Sequence, residues 1–220
     1  MNGRTMVWGM ALVLVWLSVE AVPAQDRSGA VDPPKKSEAE PKLPRCPVMD
    51  EPVDFNISTM TEQGPVYFCC KPCVKRFEKY PGRYAAETKK QRAALKKMER
   101  IQVNCPISGE PIDGKTSARI GGKKVSFCCK GCVTKYEKEP GKYAARLEAS
   151  YTYQTRCPVM GEKINPTTYA DLPTGERIYV CCKGCDTKLL KSPDKYAKKL
   201  EAQGIHLDLK KLKAVMKKKT

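Results

Sequence analysis

Twelve cysteines carry whatever chemistry this chain performs. They fall into three sets of four, each opened by Cys-Pro (Cys46-Pro47, Cys105-Pro106, Cys157-Pro158). Each set is closed by Cys-Cys-Lys-x-Cys: Cys69-Cys70-Lys71-Pro72-Cys73, Cys128-Cys129-Lys130-Gly131-Cys132 and Cys181-Cys182-Lys183-Gly184-Cys185. The opening cysteine lies 23, 23 and 24 residues before its doublet. Cysteines in such sets either hold a soft cation as thiolates or staple the chain as disulfides. Other chemistries lack their partners. His206 is the single histidine, so a His–His metal pair has no partner, and no Ser or Cys nucleophile has a plausible nearby base. The chain is therefore expected not to be an enzyme, and His206 to be a surface or packing residue.

The elements that must position these thiols repeat with them. A tight turn follows each opening cysteine, at Asp50-Glu51-Pro52, Gly109-Glu110-Pro111 and Gly161-Glu162-Lys163. Gly121-Gly122 then signals a two-residue hairpin in the second unit, while the first and third use longer loops around Gly64 and Pro173-Thr174-Gly175. The returning strands read Val66-Tyr67-Phe68, Val125-Ser126-Phe127 and Ile178-Tyr179-Val180. Their alternation predicts that the outer two residues point inward and the middle one to solvent. The doublet then falls where strand gives way to helix, a place where Pro72 is tolerated because a first-turn N–H has no partner anyway. Phe77, Tyr136 and Leu189, four residues beyond the last cysteine, share its helix face. A proline (Pro81, Pro140, Pro193) ends the short helix, and a segment with Tyr84, Tyr143 or Tyr196 starts another. Residues 82–102 predict a longer helix with a narrow stripe through Leu95, Met98 and Ile101, bridging the first two units.

A unit of this size, with one hairpin and one short helix, cannot bury enough apolar surface to fold unaided, so a metal, disulfides or association must help. A knuckle, a hairpin and cysteines at a helix start form the treble-clef arrangement of a zinc finger. The helix end also favours thiolate over thiol. Lys71, Lys130 and Lys183 would offset the negative charge of a thiolate-bound divalent ion. The predicted fold class is α+β: three small treble-clef-like modules (46–84, 105–143, 157–196) joined by helical linkers (85–104, 144–156), with a Lys-rich tail (197–220).

The opening Cys, the Cys-x3-Cys pair, the aromatic strand before it (Tyr67-Phe68-Cys69) and the Pro-x-Lys/Arg-Tyr after it resemble the TRASH/YHS family. Those modules are associated with heavy-metal sensing, trafficking and resistance. The resemblance implies that Cys46, Cys69 and Cys73, Cys105, Cys128 and Cys132, and Cys157, Cys181 and Cys185 are metal ligands. Two departures stand out. Many family members carry a knuckle cysteine where this chain has Met49, Ser108 and Met160. This chain instead adds Cys70, Cys129 and Cys182, leaving the fourth ligand to that cysteine or to water.

An all-sulfur set suits Zn(II) or Cu(I), about one ion per module. Met49 and Met160 could add thioether character for Cu(I), a pattern that Ser108 breaks. The expected role is metal sequestration, handling or resistance. The rival is a disulfide-stabilised secreted interaction protein, for which an even cysteine count behind an export signal is the usual mark. A redox relay through the doublet is a third reading, although no thioredoxin-like context surrounds it.

Export is expected from residues 1–24. Arg4 precedes a 14-residue apolar run (Met6 to Val19), and Val22-Pro23-Ala24 suits cleavage after Ala24. The run is too short for a span, which needs about 20 residues. The expected location is thus periplasmic or secreted. Residues 25–44, polar and Pro-rich, predict a disordered linker. With 41 Lys+Arg against 24 Asp+Glu, the formal net charge is +17. That charge suits anionic envelope surfaces. Nucleic acid is disfavoured, because aromatics are not interleaved as stacking platforms. A metal-transport partner would receive or deliver the ion.

Overall fold

The computed structural model describes residues 42–217, so the expected signal segment, most of the 25–44 linker and Lys218-Lys219 lie outside the described residues. The protein is α+β, a mixture of short helices and two-stranded antiparallel sheets.

The first unit begins with β1 (Asp54–Thr61) and β2 (Gly64–Phe68), then α1 (Lys71–Lys79). A 3-10 turn (Pro81–Tyr84) leads into α2 (Ala85–Leu95). The helix expected over 82–102 is therefore shorter. It stops at Leu95, and Ile101–Gln102 is strand β3. The stripe through Leu95, Met98 and Ile101 misleads because Leu95 and Met98 pack on the first unit while Ile101 packs elsewhere.

The second unit repeats the plan with β4 (Ser117–Ile120), β5 (Lys123–Ser126), α3 (Lys130–Lys138) and, after a 3-10 turn at Pro140–Tyr143, α4 (Ala144–Ala149). Gly121 and Gly122 both take positive φ (57° and 79°), the geometry a two-residue hairpin needs. Strand β6 (Tyr151–Thr152) follows and pairs with β3, Gln102 facing Tyr151. The third unit has β7 (Tyr169–Asp171), β8 (Arg177–Tyr179), α5 (Cys185–Lys191), a 3-10 turn (Pro193–Tyr196) and α6 (Ala197–Glu201). Here the helix starts later, at Cys185, after Gly184 in the left-handed region (φ 97°). The tail forms α7 (Leu209–Lys217), whose Leu212 joins Ile205 in the third unit's core.

Each unit has its own apolar centre, around Phe68 and Phe77, Phe127 and Tyr136, or Ile178 and Leu189. The middle residues of the returning strands correct the sequence expectation. Tyr67 and Tyr179 are buried, each 6% exposed, and only Ser126 stays half-buried. The chain between units covers them. Tyr153 stands edge-on to Tyr67 (5.7 Å between centroids) and stacks on Phe55 at 4.7 Å. Val103 and Ile164 pack on Tyr179. A hydrophobic patch too large for its own small unit is thus buried by a neighbouring segment.

The first unit is also joined to the segment after α6. The Phe55 N–H donates to the Gly204 carbonyl at 2.7 Å, and the His206 N–H faces Asp54 Oδ1 at 3.4 Å. Gly204 has φ +74°, and a Cβ there would lie 2.8 Å from Phe55 Cδ2. Gly204→Ala is expected to cost about 1–3 kcal/mol through overpacking and the left-handed backbone. The thermal midpoint should drop by roughly 2–12 °C at fixed metal load. An unchanged midpoint would show that this junction contributes nothing.

Candidate metal centre

The three opening knuckles share one backbone. The N–H groups of Cys46, Cys105 and Cys157 each donate to the carbonyl five residues on (Glu51, Glu110, Glu162) at 2.7 Å. Their own carbonyls accept from Asp50, Gly109 and Gly161 at 2.8–2.9 Å. All three of those acceptor-facing residues have positive φ (57°, 81° and 80°). Glycine adopts that conformation freely and Asp tolerates it, so these residue types recur there. The turn aims the opening sulfur at the end of the returning strand, where the doublet begins.

In each unit the opening sulfur and the Cys-x3-Cys pair converge. Cys46, Cys69 and Cys73, Cys105, Cys128 and Cys132, and Cys157, Cys181 and Cys185 form triads whose sulfurs all lie within 4.8 Å of one another. The outer two of each triad are buried and the middle one half-buried. The Sγ atoms of Cys69 and Cys73 are 3.7 Å apart, those of Cys128 and Cys132 3.6 Å, and those of Cys181 and Cys185 3.8 Å. Four thiolates at about 2.3 Å from a tetrahedral zinc stand about 3.8 Å from one another. A disulfide would need about 2.05 Å. The donor set therefore fits a soft cation, and each triad is positioned to hold one metal ion.

The second cysteine of each doublet is not one of the mutually close three, yet its sulfur is as near to two of them as they are to each other. Cys70 lies 3.8 Å from Cys69 and 3.4 Å from Cys73; Cys129 lies 3.9 and 3.5 Å from its neighbours, and Cys182 3.7 and 3.6 Å. Cys129 and Cys182 are exposed. Met49 and Met160 are 52% and 59% exposed, and Met49 Sδ lies 3.9 Å from Arg76. Ser108, at the equivalent place in the second unit, brings its hydroxyl within 3.3 Å of Cys128 Sγ. Lys71, Lys130 and Lys183 are exposed beside the clusters. His206 is exposed and lies 3.7 Å from Glu201, away from every triad.

Protons are divided unevenly among these sulfurs. Burial works to raise Cys105, but the backbone N–H groups of Ser108, Cys128 and Ile107 outweigh it and bring the thiol down to about 7. Cys157 is lowered in the same way, burial again being outweighed by the N–H groups of Met160, Cys181 and Val159. The Cys73 N–H and thiol hold Cys70 below its ordinary value, and Cys132 does the same for Cys129. By contrast, burial first, then the Cys46 thiol, pushes Cys69 up to about 11. Burial and the neighbouring thiols push Cys185 to about 12 and raise Cys73 and Cys132 as well. Sulfurs this close cannot all ionise without a compensating charge. A bound divalent cation supplies it and inverts the preference.

No family model matches this chain, and no curated protein or solved structure is significantly similar to it. The centre thus stands on its own geometry and threefold recurrence. Among the described residues no helix is long and apolar enough to cross a membrane. The cysteine repeat does not reveal one further set of residues beside the clusters: Gln91, Gln102 and Gln154, one per unit. Their only sequence signal is a glutamine three residues before the opening cysteine in units two and three. Unit one has Leu43 there and takes its glutamine from α2.

Proposed function

We propose that this chain is an exported metal-binding protein that holds one soft ion, Zn(II) or Cu(I), in each of three cysteine clusters and serves metal sequestration or handling without catalysis. The observation that carries the reading is the threefold convergence of sulfurs distant in sequence to within 4.8 Å of one another. Bound metal supplies charge neutralisation for the thiolates and cross-links knuckle to helix. The opening cysteine and the Cys-x3-Cys pair are the ligands in this reading, and the second doublet cysteine or water completes the shell. The knuckle, hairpin and helix order of each unit supports a treble-clef-like module of the TRASH/YHS kind. Residues 1–24, read as a signal, support export to a periplasmic or extracellular space. The Lys-rich surface suits anionic envelope polymers, and a metal-transport protein is the partner expected to exchange the ion.

The test is a count. The chain from Gln25 onward, purified from an oxidising compartment, is expected to carry about three equivalents of metal by elemental analysis, one per triad. Its intact mass should lack the loss of two hydrogens that each disulfide would produce. Metal-free protein with those losses would replace this reading with a disulfide-stapled interaction protein. Loading with Zn(II) and with Cu(I) in competition then decides between the ions.

A further inference from the structure

Each unit holds one glutamine whose side-chain amide makes the same three hydrogen bonds. In the third unit the Tyr179 N–H donates to Gln154 Oε1 at 2.8 Å, and Gln154 Nε2 donates to the carbonyls of Tyr179 at 2.6 Å and Arg156 at 3.3 Å. In the second, the Ser126 N–H donates to Gln102 Oε1 at 2.8 Å, and Nε2 donates to Ser126 at 2.7 Å and Asn104 at 3.0 Å. In the first, the Tyr67 N–H donates to Gln91 Oε1 at 3.0 Å, and Nε2 donates to Tyr67 and Arg45, both at 2.8 Å. Gln154 is fully buried and Gln91 nearly so.

The two anchor points are the same in every unit. Arg45, Asn104 and Arg156 immediately precede the opening cysteines; Tyr67, Ser126 and Tyr179 stand two residues before the doublets. One amide therefore ties the start of the knuckle to the strand that delivers the other sulfurs. Its two carbonyl acceptors take up both N–H donors of the amide, and the one backbone N–H takes one of the two acceptor positions on its oxygen. That the glutamine comes from α2 in unit one, but from the chain just ahead of the cysteine in units two and three, argues that the position of the amide is the constrained feature. A glutamine that only filled space would have no reason to bridge the same two residues from a different element.

We propose that Gln91, Gln102 and Gln154 are positioning residues for the three clusters, each setting the distance between the opening sulfur and the Cys-x3-Cys pair. This rests on the metal-binding reading for its consequence, but not for its geometry. Groups hydrogen-bonded directly to a ligand typically change metal affinity by about 10- to 100-fold when removed, and an amide acting one step further back is expected at the lower end of that range. Buried amide partners left unpaired would also loosen the strand.

The experiment uses the full chain carrying Gln154→Met, with Gln102→Met, at a less buried site, as the second variant. Two readouts are taken. In metal-free, reduced protein, kept at a temperature below its own melt where circular dichroism shows it folded, dibromobimane cross-linking of Cys157 to Cys181 or Cys185 is mapped by mass spectrometry. It is expected to slow in Gln154→Met while the Cys46 and Cys105 cross-links keep their rates. In Zn(II)-loaded protein, one of the three equivalents should pass to a chelator about 10-fold faster, the other two at the wild-type rate. Gln102→Met should move the Cys105 cross-links and a different single equivalent, and it decides the question if Gln154→Met does not fold. Unchanged cross-linking and release would overturn the proposal, as would uniform acceleration at all three sites, which marks a general support of the fold. Wild-type protein that takes up no Zn(II), yet shows the selective cross-linking change, would sink the metal reading and leave the positioning role standing.

Discussion

A chelator added in excess to the metal-loaded chain is expected to lower its thermal midpoint by about 20 °C or more, and a reductant alone to leave it nearly unchanged. The argument is one of linkage. A ligand that binds only the folded state stabilises it by about 4 kcal/mol when free ligand is 1,000 times the dissociation constant. Three sites, even partly coupled, multiply that figure, and a chain of this size shifts about 2–4 °C for each kcal/mol. The apolar centres are too small to make good the loss. The second unit's core cluster has five buried residues, Cys105, Val125, Phe127, Cys132 and Tyr136, and two of those five are ligands in this reading. It should open first, exposing Phe127 and Tyr136. Acid should mimic the chelator, since protons compete with the ion for sulfur. A midpoint insensitive to chelator but lowered by reductant would show that the sulfurs act as disulfides.

The second large effect separates the triad from the extra cysteine. In competition with a chelator, Cys132→Ser is expected to give up one full equivalent of metal, while Cys129→Ser keeps all three and holds one of them more weakly. Cys132 is buried on α3, 3.6 Å from Cys128 and in the mutually close set. Losing one of four ligands from a structural zinc site worth about 10–16 kcal/mol removes on the order of 3 kcal/mol, a weakening of more than 100-fold. A serine oxygen is a shorter and harder donor and does not replace the thiolate. Cys129, although 3.5 Å from Cys132, is exposed and outside the mutually close triad, so water has access to the position its sulfur would leave. Metal titration of both variants, with thermal melts as a check on folding, reads the difference. Equal loss of a whole equivalent in each would make Cys129 an obligatory ligand and assign it the fourth position in all three units.

How much of this centre was legible in the chain depends on what kind of contact each feature makes. The knuckle, the hairpin with Gly121-Gly122 and the helix face bearing Cys132 and Tyr136 are local. Turn chemistry and periodicity act over a few residues, and a threefold repeat makes their spacing conspicuous. The triads follow from the same locality, since a hairpin must return its second strand beside the turn that precedes it. What misled was the reading of residues between repeats. Leu95, Met98 and Ile101 match a helical stripe, yet the last of them belongs to β3, where it packs against the cluster of Val103, Ile164 and Tyr179. Tyr67 and Tyr179 look solvent-facing by alternation, yet Tyr153 and Val103 cover them.

The sequence by itself determined the cysteine sets, the local elements that carry them and the choice between sulfur chemistry and any mechanism needing histidine. Only the tertiary structure decided how closely those sulfurs gather, each triad within 4.8 Å, and that Cys129 and Cys182 are exposed beside it. It alone decided, too, that Gln91 from α2 does in the first unit what Gln102 and Gln154 do in the others. The physical reason is the range of the forces involved. Backbone turns and helix faces are set by near neighbours, whereas burial and buried amide bonding are satisfied by whichever group reaches the site, however distant in the chain.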